Sequence, residues 1–299
     1  MIRPVSFRMN EQTAVNNFYQ KKLENMSAGE IQKKALEEFE AFVSKLRKVG
    51  VQVVVVEDTA TPDTPDSIFP NNWISFHQNG TVGLYPMFAP NRRQERREDI
   101  LDQLEDQGFV IENIVDYTSA EDHDVFLEGT GSLLLDRENR IAYCALSPRA
   151  DEDLFIEFCE DFEYTPVIFH AYQTVSNQRE LIYHTNVMMA LTQNNAIVCL
   201  DSIDDKKERK NLLFHLKSSG KNIIAISEYQ VSQFAGNMLQ VVGVDDIKYT
   251  VMSEAAYNSL DKAQIDQIEQ EAKVLYSDLS TIETCGGGSA RCMMVEVFN

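Results

Sequence analysis

Helical and strand-like patterns of apolar residues follow one another along the first part of the chain. Residues 27–30, Ser-Ala-Gly-Glu, have the spacing of a capping box, and apolar residues then recur at near-helical intervals from Ile31 to Leu46. This pattern predicts a helix that ends at Gly50. The valine-rich residues 51–56 lie between that glycine and a proline-rich stretch, and they predict a short buried strand.

A β-hairpin is predicted next. Residues 73–76 and 81–87 have an extended pattern and are joined through an Asn-Gly pair, which tolerates the positive φ angles of a tight turn. Residues 92–107 carry charges on one side and apolar residues on the other, so they predict a helix. A strand at residues 109–111 follows. The order is therefore hairpin, helix and strand.

The same order recurs along the rest of the chain. Four or five such units of about sixty residues fit the length of 299 residues. No linker rich in proline or serine separates them, so we expect a single domain over residues 1–299 with one shared core. The later predicted elements are residues 132–135, 141–146, 151–161 and 165–170; then 182–184, 196–200, 204–219 and 222–226; then 239–242, 248–252, 254–272 and 274–276; and finally Ile282 with 293–298.

Composition and charge exclude several classes of partner. Hydrophobic residues make up 43% of the chain and charged residues 25%, which suits a folded globular protein. The net charge of -20 repels nucleic acid and anionic membrane surfaces. No apolar run reaches the roughly 18 to 20 residues of a membrane span, and the start, MIRPVSFRMN, lacks the apolar region of a secretory signal. We expect a cytoplasmic protein.

A glycine-rich segment near residue 290 is the first candidate for chemistry. The five cysteines show no CxxC spacing, so they predict neither a disulfide framework nor a zinc site. Residues 284–293, Thr-Cys-Gly-Gly-Gly-Ser-Ala-Arg-Cys-Met, contain three consecutive glycines, which indicate a tight loop or a close approach of the backbone. Such a loop could present Cys292 as a nucleophile. It could equally be a flexible turn before a final strand, with Cys292 buried as a small apolar residue.

A cysteine nucleophile needs a proton carrier, and histidine is the usual one. Of five histidines, His184 has a distinctive setting in Leu-Ile-Tyr-His-Thr-Asn, at the predicted end of a strand. A structural histidine is the alternative. Glu128 lies in Phe-Leu-Glu-Gly-Thr-Gly-Ser, between apolar residues and glycines. A carboxylate buried there would need a partner cation or a reaction to catalyse, whereas an exposed turn acid would need neither.

Together these segments resemble the guanidine-modifying or pentein superfamily, which includes arginine deiminases, dimethylarginine dimethylaminohydrolases, succinylarginine dihydrolases and amidinotransferases. The segments around Cys292, His184 and Glu128 are similar to those that supply the superfamily's nucleophile, histidine and glutamate. Residues 69–74, Phe-Pro-Asn-Asn-Trp-Ile, resemble the deiminases' Arg-Asp segment, and residues 90–95, Pro-Asn-Arg-Arg-Gln-Glu, resemble the segment that follows it. The likeness covers most of the chain. It is greatest to the branch of arginine-deiminase-related or citrulline-utilisation hydrolases.

The resemblance implies an α/β fold, namely a five-bladed α/β propeller of ββαβ-like units around a polar channel. It implies Cys292 as nucleophile, His184 as general acid and base, and Glu128 as a ligand of the substrate nitrogens. No metal or organic cofactor is required. Arg92 and Arg149 would hold the α-carboxylate of an amino-acid substrate, and the alternative for both is a solvated surface arginine.

The chain departs from the deiminases at Asn72 and Asn186, which stand where the resemblance places two guanidinium-binding aspartates. An amide matches a neutral ureido group better than a permanent cation. Citrulline, hydrolysed to ornithine, ammonia and carbon dioxide, is therefore the preferred substrate. Arginine or dimethylarginine, giving citrulline, remains open because Glu128 could supply the missing charge and because succinylarginine dihydrolases are also similar at Asn72.

A different class of function is a non-catalytic propeller that binds an amino acid or a protein partner, because a fold does not determine function. The joint presence of cysteine, histidine and glutamate candidates argues against it. The oligomeric state is left open by the sequence, and a homodimer is the commonest form of homo-oligomer.

Overall fold

The strands belong to small separate sheets in the computed structural model, which describes residues 1–298. They are β1 (Ile2–Arg3), β2 (Val56–Glu57), β3 (Ile74–Phe76), β4 (Thr81–Leu84), β5 (Asn113–Asp116), β6 (Leu133–Asp136), β7 (Ile141–Ala145), β8 (Thr165–Phe169), β9 (Tyr172–Val175), β10 (Gln178–Leu181), β11 (Met189–Leu191), β12 (Asn195–Val198), β13 (Asn222–Ala225), β14 (Leu239–Val242), β15 (Lys248–Ser253) and β16 (Lys273–Ser277).

Helices of one to six turns connect and cover these strands. The α-helices are α1 (Ala28–Lys48), α2 (Asp99–Glu105), α3 (Gly129–Ser132), α4 (Glu152–Asp161), α5 (Thr185–Met188), α6 (Lys206–Ser218), α7 (Glu228–Ser232), α8 (Glu254–Ser259), α9 (Lys262–Glu269) and α10 (Ser280–Gly286). Short 3-10 helices span Pro70–Asn72, Arg92–Glu95, Thr118–His123, Leu200–Ser202 and Val244–Asp246. Within residues 1–298, no helix combines the length and the hydropathy that crossing a membrane would require.

Four three-stranded sheets share one topology. In each, the first two strands are antiparallel and the third strand is parallel to the second. The sheets are β3-β4-β5, β6-β7-β8, β11-β12-β13 and β14-β15-β16. A parallel third strand requires a crossover, and the segment between the second and third strands supplies it, with a helix in every unit. The predicted repeat of hairpin, helix and strand is thus confirmed as a mixed α/β fold.

Helix α1 begins as its sequence pattern predicts. The Ser27 side chain accepts a hydrogen bond from the Glu30 amide, and the Glu30 carboxylate accepts one from the Ser27 amide at 2.8 Å, which completes the capping box. The apolar positions of the helix form its buried face. These are Ile31, Ala35, Phe39, Phe42, Val43 and Leu46.

The predicted strand at residues 51–56 is wrong over most of its length. Only Val56 lies in a strand, and it pairs in parallel with Ile2. In this parallel register Val56 faces Ile2, so residues 51–54 lie beyond Met1 and have no partner strand among the described residues. Residues 51–55 are half-buried or exposed, and residues 294–298 also lie outside any strand.

Other predicted boundaries were wrong where local capping or a turn overrode the apolar pattern. The predicted helix 254–272 is two helices, because Asp261 forms a capping box with Gln264 and starts α9. Residues 92–107 also divide, since Arg96 has an extended backbone between a 3-10 helix and α2. The strand predicted at 109–111 lies further along the chain, because β5 begins at Asn113, and no strand forms at 182–184. The hairpin of β9 and β10 was not predicted, and Ile282 lies in helix α10.

Candidate active site

Each three-stranded sheet contributes a polar residue from the segment that leads into its first strand. Asn72 ends the 3-10 helix before β3, and Glu128 immediately precedes α3, which leads into β6. His184 precedes α5 with an extended backbone, and α5 leads into β11. The prediction that His184 ends a strand is therefore wrong, because the chain turns into a helix at this residue. Asn237 stands before β14.

The predicted site residues converge although they are far apart in the chain. A narrow cavity of about 10 Å³ brings together His184, Cys292 and Asn72 with both predicted arginines. Glu128 is hydrogen-bonded to His184, and the Asn186 amide contacts the Cys292 sulfur, so both residues adjoin this group. The full lining is Asn17, Asp66, Phe69, Asn72, Arg92, Arg149, Tyr183, His184, Gly286, Gly288 and Cys292.

Glu128 and His184 form a buried hydrogen-bonded pair. The Glu128 Oε2 atom lies 2.7 Å from His184 Nε2 and 3.5 Å from Arg149 Nη1. Its other oxygen, Oε1, accepts the Phe88 backbone N–H at 3.0 Å. Glu128 is 0% exposed, so the alternative of an exposed turn acid is wrong.

The surroundings of this pair set its protonation state. Burial tends to raise the pKa of Glu128, but Arg149, the hydrogen bond to His184 and the charge of Arg92 outweigh it and hold that pKa at about 2. Burial also lowers the pKa of His184 to about 4, although Glu128 opposes this shift. At neutral pH the carboxylate is therefore charged and the imidazole is neutral. A neutral imidazole can accept a proton from a thiol.

Cys292 is buried, and two amides contact its sulfur. Asn237 Nδ2 lies 3.2 Å from Cys292 Sγ, and Asn186 Nδ2 lies 3.5 Å from the same atom. The sequence pattern did not identify Asn237. A signal does exist, because Asn237 precedes the first strand of its sheet as Asn72 and Glu128 precede theirs.

The glycine segment before Cys292 is a tight loop, as predicted. Gly287 ends α10 with a φ of 62°, and a Cβ atom there would lie 2.6 Å from the Asn17 side-chain amide. A Cβ at Gly286 would lie 2.7 Å from the Phe69 ring. These close approaches leave no room for larger residues beside the nucleophile candidate.

Both predicted arginines are buried, so the alternative of solvated surface arginines is wrong. Arg92 binds Glu95 through Nε at 2.8 Å and through Nη2 at 2.9 Å, and its Nη2 also donates to the Phe69 carbonyl at 2.9 Å. Arg149 donates from Nη2 to the Thr13 carbonyl at 2.8 Å and from Nε to Asn16 Oδ1 at 2.9 Å. Arg149 Nη1 lies 3.5 Å from Glu128 Oε2, a longer contact than the hydrogen bonds made by Nε and Nη2.

Arg92 also determines which way the Asn72 amide faces. Its Nη1 donates to Asn72 Oδ1 at 2.6 Å, so the oxygen of that amide is bound to the arginine. The Asn72 nitrogen donates one N–H to Asn71 Oδ1 at 3.1 Å. Within residues 1–298 its second N–H has no acceptor, so it remains available to a bound molecule.

Asp66 also lines the cavity, although the sequence pattern did not indicate it. Its Oδ2 atom accepts hydrogen bonds from Asn10 Nδ2 at 2.8 Å and from Thr13 Oγ1 at 3.0 Å. Its Oδ1 atom is buried and has no partner in the described part of the chain. Burial raises the pKa of Asp66, against the opposing effect of Arg92. Asp66 lies in a proline-rich stretch that is typical of a surface loop, so its sequence gives no sign that it lines a cavity.

The described residues contain no group of three or more His, Cys, Asp and Glu side chains placed to hold a metal ion. The five cysteines are free thiols. Burial raises the pKa of four of them, Cys144, Cys159, Cys199 and Cys285, which makes those thiols poor nucleophiles at neutral pH. Cys292 differs from these four in having two amide donors at its sulfur.

Residues 3–299 match the protein family described as N,N dimethylarginine dimethylhydrolase, eukaryotic. Among curated proteins, no significant match to the chain was found. The family match covers nearly the whole chain, and it confirms the resemblance to the guanidine-modifying superfamily.

Solved structures with the same fold include ArgZ, an arginine dihydrolase from the ornithine-ammonia cycle in cyanobacteria. Its apo structure has a TM-score of 0.73 at 17% identity, covering 100% of this chain and 40% of ArgZ. The N-terminal domain of ArgZ bound to substrate has a TM-score of 0.70 at 17% identity, covering 100% of this chain and 97% of that domain. This chain therefore spans about two fifths of full-length ArgZ.

A third similar structure is dimethylarginine dimethylaminohydrolase in an adduct with S-methyl-L-thiocitrulline. It has a TM-score of 0.59 at 15% identity, and the alignment covers 88% of this chain and 89% of that protein. At such identities these likenesses concern the fold.

Proposed function

The chain belongs to the N,N dimethylarginine dimethylhydrolase family of hydrolases that act on guanidino C–N bonds, and we propose that it hydrolyses citrulline to ornithine, ammonia and carbon dioxide. In this proposal Cys292 forms a covalent adduct with the ureido carbon. The observation that carries the choice of citrulline is the orientation of two amides, Asn72 and Asn186.

Asn72 offers a donor to the cavity. Because Arg92 binds its oxygen, the free N–H of Asn72 needs an acceptor from the substrate. The ureido carbonyl of citrulline is such an acceptor. A guanidinium has only donors, so the group of arginine would place N–H against N–H at this position.

Asn186 offers the complementary acceptor. Its nitrogen donates to Cys292 Sγ, and its Oδ1 atom is buried without a partner among residues 1–298. An unpaired buried oxygen costs free energy until a donor reaches it. A ureido N–H can bind this oxygen while the ureido carbonyl binds Asn72. One donor and one acceptor together match a ureido group and only half match a guanidinium.

The charges of the cavity support the same choice. Arg92 and Arg149 both line it, and Arg149 already contacts the Glu128 carboxylate. A further cation beside them would be repelled, whereas a neutral ureido group would not. The unpartnered Asp66 oxygen suits the α-ammonium of a free amino acid. We assign the α-carboxylate to Arg149 Nη1 and the remaining N–H of Arg92.

The reaction would proceed in two halves. His184 accepts the thiol proton while Cys292 Sγ attacks the ureido carbon, and it then protonates the departing nitrogen, so that ammonia leaves a thiocarbamate on Cys292. In the second half His184 takes a proton from water, which attacks the thiocarbamate carbon and releases the thiol. The carbamate of ornithine then loses carbon dioxide. Glu128 holds the imidazole and stabilises its charged form.

Arginine is the second candidate substrate. Glu128 is charged and lies next to the reacting groups, and ArgZ, which has the same fold, is an arginine dihydrolase. With arginine, loss of one nitrogen would give citrulline and ammonia, and dimethylarginine would give citrulline and dimethylamine. A purely binding role is disfavoured by membership of a hydrolase family.

The experiment is incubation of the protein with citrulline, arginine, N,N-dimethylarginine and agmatine, with ornithine, citrulline and ammonia quantified. Ornithine from citrulline, absent in a Cys292→Ser control, is the expected result. An Asn72→Asp variant should favour arginine over citrulline by at least about tenfold relative to the unmodified protein, because a carboxylate replaces the free N–H with an acceptor. Citrulline formed from arginine without ornithine from citrulline would contradict the proposal.

We also propose that residues 1–299 form one domain and a five-bladed propeller. The fifth blade would combine β1, β2 and residues 51–55 with residues 293–298. In support, Val295, Val297 and Phe298 pack against the cluster that contains Ile2 and Val56. A largely apolar cavity of about 390 Å³ lies between these segments.

A cytoplasmic location and a homodimer remain predictions from the sequence. For the binding partner we propose a free small amino acid, since the cavity carries groups of both charges for its two ends. The acidic surface is assigned no partner.

A further inference from the structure

One buried amide, that of Asn237, connects the nucleophile to the segment that carries the histidine. Its nitrogen donates to Cys292 Sγ at 3.2 Å and to the Asn186 carbonyl at 3.0 Å. Its oxygen accepts the backbone N–H of Arg291 at 2.9 Å and that of Cys292 at 3.4 Å. The two N–H groups and the oxygen of this amide are therefore all in use, and three of the four contacts involve residues 291 and 292.

The backbone around Asn237 leaves this amide little freedom to move. A Cβ atom at Gly236 would lie 2.8 Å from the Met188 carbonyl carbon, so the loop packs directly against α5. Phe234 has a φ of 61°, which is rare for a bulky residue. The Asn237 N–H donates to the Phe234 carbonyl at 2.9 Å. Such local strain is often found where a functional group must be held in place.

Asn237 and Asn186 both contact the sulfur, but they are not equivalent. The Asn237 contact is shorter, and Asn237 also binds the nucleophile's own backbone N–H. Asn186 has an unpartnered oxygen, and under the proposed function that oxygen belongs to the substrate. Asn237 has no free group to offer a substrate, so its role is toward the cysteine.

We propose that Asn237 is a catalytic residue whose side-chain N–H stabilises the Cys292 thiolate and directs the sulfur toward the substrate carbon. A hydrogen bond to a charged acceptor is stronger than one to a neutral acceptor, so the contact strengthens when the thiol loses its proton to His184. A neutral donor achieves this without cancelling the negative charge that attacks. The proposal deepens the proposed function, yet it makes a statement about thiol reactivity that needs no substrate.

The test is the alkylation rate of Cys292 by iodoacetamide as a function of pH. Asn237→Ala removes the donor, and Asn237→Asp keeps the acceptor for the Arg291 N–H while replacing the donor by an anionic oxygen. Asn195→Ala is the matched control, because Asn195 is a buried amide that binds Glu271 and is not among the residues that line the cavity. A Cys292→Ala variant gives the background from the four other cysteines.

We expect Asn237→Ala to lower the alkylation rate of Cys292 at pH 7 about tenfold and to move the midpoint of the pH profile upward. Asn237→Asp should move the midpoint further, and Asn195→Ala should leave it unchanged. On citrulline, Asn237→Ala should lower kcat about a hundredfold, with KM changed less than about threefold.

The proposal is overturned if both Asn237 variants are folded by circular dichroism and keep the alkylation profile of the unmodified protein. A loss of thermal stability equal to that of Asn195→Ala, with an unchanged profile, would also reduce Asn237 to a structural role. If no substrate is turned over but the alkylation profile shifts as expected, the proposed substrate fails and the role of Asn237 stands. If Asn237→Ala does not fold, the Asn237→Asp profile decides.

Discussion

The two sides of the cavity hold their reactive groups in different ways. On one side His184 is bound to the charged Glu128, which also contacts Arg149. On the other side the sulfur of Cys292 is contacted by the neutral amides of Asn186 and Asn237. Under the proposed mechanism, the difference follows from what each group does in the reaction. An imidazole that gains a proton is stabilised by an anion, whereas a thiolate that must attack is better served by donors that leave its charge intact.

The largest expected effect comes from removing the charge on the histidine side. Glu128→Gln should lower kcat/KM about a thousandfold, because His184 loses the anion that stabilises its protonated form and Arg149 is left without its carboxylate. Steady-state kinetics with the proposed substrate, citrulline, measures this effect. Because Cys292 loses its proton to His184 in the proposed mechanism, the alkylation rate of Cys292 should also fall in this variant, by less than kcat/KM.

Glu121→Gln is a close control for Glu128→Gln. Glu121 accepts the Met87 backbone N–H at 2.7 Å and pairs with Arg96, so it has the same kinds of partner but lies outside the cavity. We expect Glu121→Gln to retain activity within about threefold. Equal losses of activity in the two variants would mean that Glu128 acts through folding alone.

A smaller effect is expected from substituting Gly131, which lies against the side chains of His184 and Asn72. An added Cβ would collide with Asn72 Nδ2 and with His184 Nδ1. Gly131→Ala should therefore lower activity about ten- to a hundredfold and destabilise the protein by about 1 to 3 kcal/mol. Activity assays and thermal unfolding measure the two effects.

The matched control for this substitution is Gly29→Ala, because no atom lies within 4 Å of a Cβ placed there. In helix α1 an alanine should be neutral or stabilising by up to about 1 kcal/mol. A fully active Gly131→Ala protein would show that the close approach of Asn72 and His184 is not required.

The last expected effect is on stability rather than activity, and it concerns the contacts of the segment that leads to Cys292. Ser289, three residues before Cys292, donates to the buried Glu283 carboxylate at 2.6 Å. Burial raises the pKa of Glu283 to about 7, against the hydrogen bonds from Ser253 and Ser289, and Glu38 and Asp278 add to the rise. The folded state thus binds this proton more tightly than the unfolded state, where the pKa is near the model-peptide value of about 4.3.

The stabilisation by protonated Glu283 is complete below the unfolded pKa, and it is lost as pH rises through about 7. Glu283→Gln should therefore make the free energy of unfolding less dependent on pH between about 4.5 and 7, by up to about 3 kcal/mol. Urea unfolding of both proteins at several pH values measures this. Identical slopes in the two proteins would show that Glu283 does not titrate in this range.

Much of the candidate site could be predicted because its residue types are scarce and locally marked. Cys292 follows three glycines, and His184 and Glu128 interrupt apolar stretches, so their chemistry was visible in single segments. Helix α1 was predictable for a similar reason, since its capping box and apolar period are local signals. Patterns that depended on a distant partner, such as the strand at residues 51–56, were predicted less well.

Asn237 and Asp66 show what local patterns do not contain. Asparagine is common in turns, and Asp66 lies in a proline-rich loop, so neither residue stands out in its own segment. Their importance lies in contacts with residues far away in the chain: Asn237 with Cys292, and Asp66 with Asn10 and the cavity. The position of Asn237 before β14 becomes informative only when the four sheets are compared.

By itself the sequence determined the helices and hairpins with strong periods, the repeat of units, and the kinds of side chain available for catalysis. The tertiary structure decided which of these side chains meet, which of them are buried, and which way the Asn72 and Asn186 amides face. The physical reason is that an amide has a donor end and an acceptor end, and its direction is set by whichever partner packing brings near. For Asn72 that partner is Arg92, which binds the amide oxygen, and we propose that the free N–H of Asn72 binds the substrate.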